Sequence, residues 1–327
     1  MLTWQHLHSK EDLLGSPFIA HTFAFQGVAT QVVTTLVEYE THTPKKRAIL
    51  YLHGYTDYFF QADLAQHFTE QEWQFYALDL QGYGRSIRPN SRPNWCENMA
   101  QYHDDLRIAL CELRQRGIEE VVLLAHSTGG LIASHFLAHL ARNGSAYSAF
   151  DMAKVTGLIL NSPFLALPFS PEVTKRVSWP IWLTVSLLPF HSIREKDISL
   201  YARTLHKHFC GEWEYRLDWK PAKGFPLSFN WLKQILLAQK QVKQLGLALP
   251  TLMCCSNTTT RHERDLERIK QGDGVLDVES MTLAAQQTFK DLHIERIEGG
   301  FHDLYLSPPP SRQHYLAAID QWLESRL

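Results

Sequence analysis

The sequence of 327 residues contains no long apolar run, no cluster of basic residues and no cysteine pattern, and each absence excludes a class of protein. Its longest apolar segment, Trp179 to Phe190, is too short to span a bilayer and contains two prolines, so we expect no transmembrane helix. The formal net charge of −2 provides no electrostatic footprint for nucleic acid. The five cysteines are odd in number and lack metal-ligand spacing, which favours reduced thiols and predicts no metal site.

The first residues, MLTWQHLHSKEDLLG, also lack the pattern of a secretory signal. Such a signal has a basic region, then an apolar region, then small residues at a cleavage site. We therefore expect a cytoplasmic protein.

Short apolar runs alternate with helical patterns over the first half of the chain. Hydrophobic residues make up 45% of the sequence and charged residues 20%, as in ordinary globular proteins. Segments from His21 and Thr30 predict an antiparallel hairpin. The runs at 48–54, 74–80, 121–127 and 157–162 predict strands buried on both faces of a mostly parallel sheet, and hence an α/β fold.

This regularity stops after Ser162 and returns near residue 250. The intervening stretch is rich in proline and tryptophan and has little strand character. Further strands are predicted at 250–256 and 293–300, and a final helix from about Ser311. We interpret residues 1–162 and 241–327 as one α/β core and residues 163–240 as an inserted cap.

Ser127 is the candidate nucleophile. It follows the apolar run VVLLAH directly and precedes Gly129, Gly130 and a helical pattern, which is the context of a nucleophile elbow. Ala125 stands where this motif often has glycine, and we interpret it as a tolerated variant because it adds only one methyl group.

A serine nucleophile needs a base, and the base needs a carboxylate that orients it. His302, on a glycine-rich loop after the last predicted strand, has the right place in the chain order of serine, acid and histidine. His126 is expected to point away from the elbow, and His135 lies two helical turns further on. His302 is therefore the candidate base.

The candidate acids lie between the last two predicted strands. Asp273, in the turn GDG, is favoured over Asp277, while Asp265 is the least favoured of the three. The oxyanion needs two backbone N–H donors. We expect them from Thr128, which follows the nucleophile, and from Tyr55, which follows the sharp His-Gly turn after an early strand.

Six motifs carry a resemblance to a known family: LHGYTDYF, LDLQGYGRS, AHSTGG, LNSPF, GDGVLDVESM and EGGFHDLYLS. In this order and spacing they resemble the α/β-hydrolase fold, specifically the serine hydrolases grouped with monoacylglycerol lipases, lysophospholipases and serine aminopeptidases. The resemblance runs from about His21 to Leu327. It implies Ser127 as nucleophile, Asp273 as acid, His302 as base, and Tyr55 and Thr128 as oxyanion donors.

These residues predict a serine esterase that cleaves small-molecule esters through an acyl-enzyme, without a cofactor. Trp179, Trp182 and Leu187 of the cap are candidates for an apolar acyl site or for transient contact with a membrane surface. An aminopeptidase would instead need cap carboxylates, for which Glu212, Glu214 and Asp218 are candidates. A catalytically silent binding protein is the third alternative. Epoxide hydrolases and haloalkane dehalogenases share the architecture but use an aspartate nucleophile, so Ser127 disfavours them.

Overall fold

A mostly parallel sheet of nine strands forms the centre of the molecule. The computed structural model describes residues 3–26, 32–89, 91–143, 151–243 and 246–327. The strands of the sheet are β1 (Trp4–Glu11), β2 (Phe18–Phe25), β3 (Val33–Tyr39), β4 (Arg47–Leu52), β5 (Gln74–Asp79), β6 (Glu120–His126), β7 (Lys154–Asn161), β10 (Thr251–Ser256) and β11 (Leu292–Ile297), and a separate small pair is formed by β8 (Ser192–Ile193) and β9 (Leu227–Ser228). Within the described residues the strand order of the sheet is β1-β2-β3-β5-β4-β6-β7-β10-β11.

The first three strands run antiparallel to their neighbours, and the remaining six pair in parallel. The predicted hairpin is β2 paired with β3, and the six predicted core strands all form. β1, which pairs with β2, was not predicted. Its side chains from Gln5 to Glu11 are exposed, so the strand carries no alternating apolar pattern.

The central strand β6 is buried on both faces. Val121, Leu123 and Ala125 belong to the apolar core on one face of the sheet, and Val122 and Leu124 belong to the core on the other face. A strand in this position reads as a continuous apolar run, because neither face meets solvent. The methyl group of Ala125 is therefore part of the core.

Helices cover both faces of the sheet, and others lie in the insertion between β7 and β10. They are α1 (Ala62–Glu70), α2 (Gln101–Gln115), α3 (Thr128–Arg142), α4 (Pro171–Leu187), α5 (Leu200–Leu205), α6 (Phe229–Lys243), α7 (Leu266–Ile269), α8 (Val278–Thr288) and α9 (Pro309–Arg326). None of the helices in the described ranges is long and apolar enough to cross a bilayer.

The predicted end of the cap at residue 240 falls inside α6. This helix buries Trp231, Ile235, Ala238 and Val242 in the core and packs against α3. Its apolar face therefore belongs to the packing of the core, although residues 229–240, most of the helix, lie in the predicted cap. The composition of the segment did not indicate this, since the helix follows a stretch rich in proline and tryptophan.

Candidate active site

Ser127 lies in a sharp turn between β6 and α3. Its backbone φ of 52° and ψ of −117° fall in a region that residues other than glycine seldom adopt. A Cβ atom at Gly129 would lie 2.4 Å from the carbonyl oxygen of His53, and one at Gly130 would lie 2.8 Å from Cβ of Pro163. Both positions therefore need glycine for strand and helix to approach this closely. The turn has the strain and the close packing of a nucleophile elbow.

His302 bridges Ser127 and Asp273. Its Nε2 atom lies 2.9 Å from Oγ of Ser127, and its Nδ1 atom lies 3.0 Å from Oδ2 of Asp273. His302 follows β11 and Asp273 follows β10, so two loops at the carboxyl end of the sheet bring them to the elbow. With its proton on Nδ1, His302 donates to the carboxylate, and Nε2 accepts the hydroxyl proton of Ser127. All three side chains are buried.

The loop around Asp273 fixes the orientation of its carboxylate. Oδ1 accepts hydrogen bonds of 2.8 Å from the backbone N–H groups of Val275 and Leu276, which leaves Oδ2 facing His302. The Asp273 backbone also forms an isolated bridge with Thr259. The long stretch between Ser256 and Asp273 therefore folds back and places the carboxylate at the histidine.

The two other candidate acids cap helices instead. Asp277 accepts a hydrogen bond from the Ser280 N–H at the start of α8. Asp265 accepts from the first N–H groups of α7. N-caps of this kind satisfy amides that have no acceptor within the helix. Of the three carboxylates considered from the sequence, the structure brings Asp273 to His302.

The two predicted oxyanion donors line the same cavity as Ser127. Thr128 is the first residue of α3, so its N–H has no acceptor within the helix and lies at the positive end of the helix dipole. Tyr55 follows the turn after β4, and its N–H makes no backbone hydrogen bond to any residue that the structure describes. The oxyanion role of the two amides stays a prediction.

Asn161 joins the elbow to the loop that carries His302, and sequence reasoning missed it. Its carbonyl accepts from the Ser127 N–H at 2.9 Å, and its side-chain Nδ2 donates to Oδ1 of Asp303 at 2.8 Å. Its Oδ1 accepts from the Leu304 N–H at 3.1 Å. The available signal was a buried polar residue at the end of the apolar run GLIL, because such a residue must find several hydrogen-bond partners.

Residues 43–308 match the family described as serine aminopeptidase, S33. The chain belongs to this family. The α/β-hydrolase fold predicted from the sequence is confirmed, and the fold and the family are those of hydrolases.

Solved structures with this fold include two lipases. A monoglyceride lipase from Saccharomyces cerevisiae, in complex with a substrate analogue, is 15% identical, covers 100% of this chain and 97% of its own, and has a TM-score of 0.64. A monoacylglycerol lipase from Paleococcus ferrophilus is 16% identical, covers 91% of this chain and 100% of its own, and has a TM-score of 0.63.

Among curated relatives, epoxide hydrolase 1 of Caenorhabditis elegans is 21% identical over 277 residues. The match covers 80% of this chain. It spans 62% of the relative's length, less than two thirds.

Ser127 and His302 face a cavity of about 830 Å³, which is lined by both apolar and polar side chains. Ser127, His302 and the two candidate oxyanion donors lie on its wall. Apolar side chains from the core and the insertion line much of it: Phe164, Leu167, Phe169, Ile181, Leu227, Trp231, Leu232, Val275 and Leu276. We call Asp57, His126 and Lys220 the polar region, and the charged residues Glu195, Asp197, Lys223 and Arg261 also line the cavity.

The three cap residues predicted to bind substrate do not line this cavity. Trp179, Trp182 and Leu187 are 66%, 41% and 70% exposed. In α4 it is Ile181 that lines the cavity, and Val185, one turn further on, is buried. Residues four apart share one face of a helix, so Trp179 and Leu187 fall on the side opposite Ile181 and Val185, and Trp182 lies beside their face.

The cap carboxylates considered for an aminopeptidase also lie outside the cavity. Each of them forms an ion pair with a neighbouring cation: Glu212 with Arg312, Glu214 with Lys207, and Asp218 with Arg216. All three carboxylates therefore have a protein cation as partner and lie apart from the residues that line the cavity.

His126 points into the cavity, contrary to the sequence-based expectation. Its ring centroid lies 4.9 Å from that of His302, and its Nδ1 atom lies 3.2 Å from the Asn161 carbonyl oxygen. Burial lowers the pKa of His126, so the ring next to His302 is neutral at neutral pH.

Asp57, His126 and Asp303 each place one potential ligand atom within 4.8 Å of the others. These residue types bind metal ions, but a protein cation is already present. Nζ of Lys220 lies 2.5 Å from Oδ1 of Asp57. Burial opposes ionisation of Asp57, yet Lys220, with His126 and His53, holds its pKa below the ordinary value.

Proposed function

We propose that this protein is a serine hydrolase that cleaves carboxylic esters with an apolar acyl chain, of the monoacylglycerol or lysophospholipid type. The observation that carries the proposal is the position of His302, within hydrogen-bond distance of both the Ser127 hydroxyl and the Asp273 carboxylate. A weak nucleophile, a base and a group that orients the base would thus be joined by two hydrogen bonds between buried side chains.

In the proposed reaction, Ser127 Oγ attacks the ester carbonyl while His302 Nε2 takes the hydroxyl proton. The N–H groups of Thr128 and Tyr55 stabilise the negative charge that develops on the carbonyl oxygen. His302 then gives its proton to the leaving alcohol, and the acyl group stays on Ser127. A water molecule, activated by the same histidine, releases the acid and restores the enzyme.

The apolar lining of the cavity supports an apolar acyl chain, because such a chain is desolvated when it binds there. The serine at the elbow distinguishes this site from one that uses an aspartate nucleophile, such as that of an epoxide hydrolase. The fold similarity to two lipases is compatible with the proposal, and the substrate assignment depends on the lining residues.

We further propose that the insertion, residues 163–240, acts as a cap that contacts a lipid surface through α4 and the turn after it. Trp179, Leu187 and Phe190 expose large apolar side chains there. An exposed apolar patch on the same helix that lines an apolar cavity with Ile181 fits a substrate that is dissolved in a lipid phase. The cytoplasmic location stays a prediction.

The experiment that tests the ester reaction measures hydrolysis of p-nitrophenyl esters from acetate to palmitate. The blank is Ser127→Ala, and the matched control is Ser134→Ala, another buried serine in α3, whose hydroxyl bonds the Gly130 carbonyl. We expect turnover to fall at least about 10⁴-fold in Ser127→Ala, with a similar loss in His302→Ala, because triad members act as a unit. Ser134→Ala should retain the wild-type rate.

Two further comparisons separate the alternatives. Asp273→Asn should lose far more activity than Asp277→Asn, since Asp273 orients His302 and Asp277 caps α8. Activity that survives in Ser127→Ala would overturn the proposed mechanism. Turnover of aminoacyl amides without turnover of any ester would assign an aminopeptidase, and failure of a fluorophosphonate to label Ser127 would assign a silent binding protein.

A further inference from the structure

Lys220 and Asp57 form a buried ion pair at the polar region of the cavity. The two side chains are 13% and 2% exposed. Lys220 comes from the insertion, whereas Asp57 lies two residues after the candidate oxyanion donor Tyr55. The pair therefore links the insertion to the loop that supplies the oxyanion hole.

The insertion holds this loop at several points besides the ion pair. We call residues 213–226 the anchored segment. Its polar contacts with the loop join the Arg216 N–H to the Tyr58 hydroxyl at 2.7 Å, the Phe225 N–H to Oγ1 of Thr56 at 3.4 Å, and the Tyr55 hydroxyl to the Pro226 carbonyl at 3.2 Å. The position of the loop consequently does not depend on Lys220 alone, and the ion pair needs a second explanation.

The electrostatic surroundings of Asp57 provide that explanation. Asp57 lines the same cavity as Ser127 and Thr128, and its carboxylate lies within 4.8 Å of a ring nitrogen of His126. His126 is in turn the neighbour of both Ser127 and His302. A carboxylate without a counter-ion at this place would oppose the negative charge that develops on the substrate oxygen, because charges interact strongly in a buried site.

On the basis of the proposed function, we propose that Lys220 is a positioning residue that neutralises Asp57, so that the oxyanion forms at the amides of Tyr55 and Thr128 without repulsion from this carboxylate. Oδ2 of Asp57 has no hydrogen-bond partner among the described residues, and Oδ1 bonds the Lys220 ammonium. Lys220 acts through Asp57 and does not itself need to touch the substrate.

The ionisable groups around Asp57 determine how the effect depends on pH. Besides Lys220 they are His53, His126, Asp303 and the phenols of Tyr51, Tyr58, Tyr201 and Tyr215. Burial lowers the pKa of His53 and of His126 and raises the pKa of these phenols, so none of them replaces the lysine cation at neutral pH. Without Lys220, burial should raise the pKa of Asp57, and the uncompensated negative charge should appear only as the pH rises.

The experiment compares Lys220→Met, Lys220→Arg, Asp57→Asn and the double variant Asp57→Asn/Lys220→Met. kcat and KM for the best p-nitrophenyl ester are measured from pH 6 to pH 9, with the rate at which a fluorophosphonate labels Ser127 as a second readout. The control is Lys207→Met, which removes a lysine of the insertion from an exposed ion pair with Glu214. That exposed pair should have no effect on turnover.

We expect Lys220→Met to lower kcat at least about 10-fold at pH 8.5, with KM changed less than about threefold, and the deficit should shrink toward pH 6. The double variant should regain at least about half of the decrease in log kcat that Lys220→Met causes, because it has no Asp57 carboxylate that needs a counter-ion. Lys220→Arg should lose less than Lys220→Met. A role as a mere link predicts a different result, in which Lys220→Met, Asp57→Asn and the double variant lose equal activity because each breaks the same contact.

Wild-type kcat in Lys220→Met, or a double variant no better than the single one, would overturn the inference. At pH 6 the single variant is expected to fold, since Asp57 can then take up a proton, and circular dichroism at that pH checks the fold before the comparison starts. Failure of the proposed function looks different: the wild type itself would neither hydrolyse esters nor react with the fluorophosphonate. If the fluorophosphonate labelled the wild type and Lys220→Met at equal rates, the inference about Lys220 would be wrong, whereas the proposed function would stand.

Discussion

Two parts of the insertion differ in how they meet the rest of the molecule. The anchored segment places Tyr215 against Phe60, with ring centroids 4.9 Å apart, and buries the Lys220 side chain beside Asp57. The apolar helix, by which we mean α4 and its following turn to Phe190, leaves Phe190 92% exposed. One part is fixed to the loop of residues 55–60, and the other presents an apolar surface to the outside.

The difference is the reverse of what composition suggests. The sequence GEWEYRLDWK around the anchored segment alternates charged and aromatic residues and looks like a surface. The apolar helix has the composition of a buried element. The contacts in the structure show the opposite. The aromatic residues of the anchored segment pack against the loop of residues 55–60, and its carboxylates pair with nearby cations. An apolar run that stays exposed points to a partner surface, and we propose a lipid phase as that surface.

The largest effect should come from exchanging one aromatic side chain in each part for alanine. Tyr215→Ala removes a buried ring that contacts Phe60 and His206, so we expect the free energy of unfolding to fall by about 3 kcal/mol. Trp179→Ala removes a larger ring that is 66% exposed, and we expect a change below about 0.5 kcal/mol. Urea denaturation of both variants measures the comparison.

The same two variants also test the contact between the anchored segment and the loop of residues 55–60. Tyr215→Ala should lower kcat for a short ester, since Phe60 and the residues before it lose their support, whereas Trp179→Ala should leave it unchanged. Equal losses of stability in the two variants would show that the contrast between the anchored segment and the apolar helix is not real.

Local sequence patterns predicted the core strands and the sharp turn at Ser127, and they placed His302 on the loop after the last strand, because these features depend on neighbours along the chain. Ser127 needs only a buried strand before it and small residues after it. Lys220 and Asn161 could not be found in this way, since Lys220 acts on Asp57, 163 residues away, and Asn161 on Asp303, 142 residues away. The face of α4 that meets the cavity was equally hidden, because the helix is apolar on both sides.

A second prediction contrasts Asp57 with another fully buried carboxyl group, Asp105 of α2. Its hydrogen bonds come from the neutral N–H and Nε2 groups of Gln81, and burial raises its pKa to about 7. Between pH 4 and pH 7 the folded protein therefore holds a proton that the unfolded chain has released. This contribution to stability is complete at low pH and is lost as the pH rises through that window.

Asp105→Asn should remove this dependence. We expect the free energy of unfolding of the wild type to fall by about 2 kcal/mol more than that of the variant between pH 5 and pH 8, as urea denaturation at the two values would measure. Asp57→Asn should not flatten the curve over the same interval, because Lys220 holds the pKa of Asp57 below its ordinary value in spite of burial. Parallel curves for the wild type and Asp105→Asn would show that Asp105 does not titrate in this range.

The smallest effect concerns the apolar helix itself. Phe190→Ser removes its most exposed ring, so binding to phosphatidylcholine vesicles should weaken about threefold to tenfold, whereas kcat for p-nitrophenyl acetate in solution should stay at the wild-type value. Leu13→Ser is the matched control, since Leu13 is an exposed apolar side chain outside the insertion. A loss of vesicle binding that is equal in both variants would mean that exposure alone, and not the position on the apolar helix, governs the contact with lipid. If Phe190→Ser bound vesicles as well as the wild type, the proposed contact between the apolar helix and lipid would be wrong, and its exposed apolar surface would need a different partner.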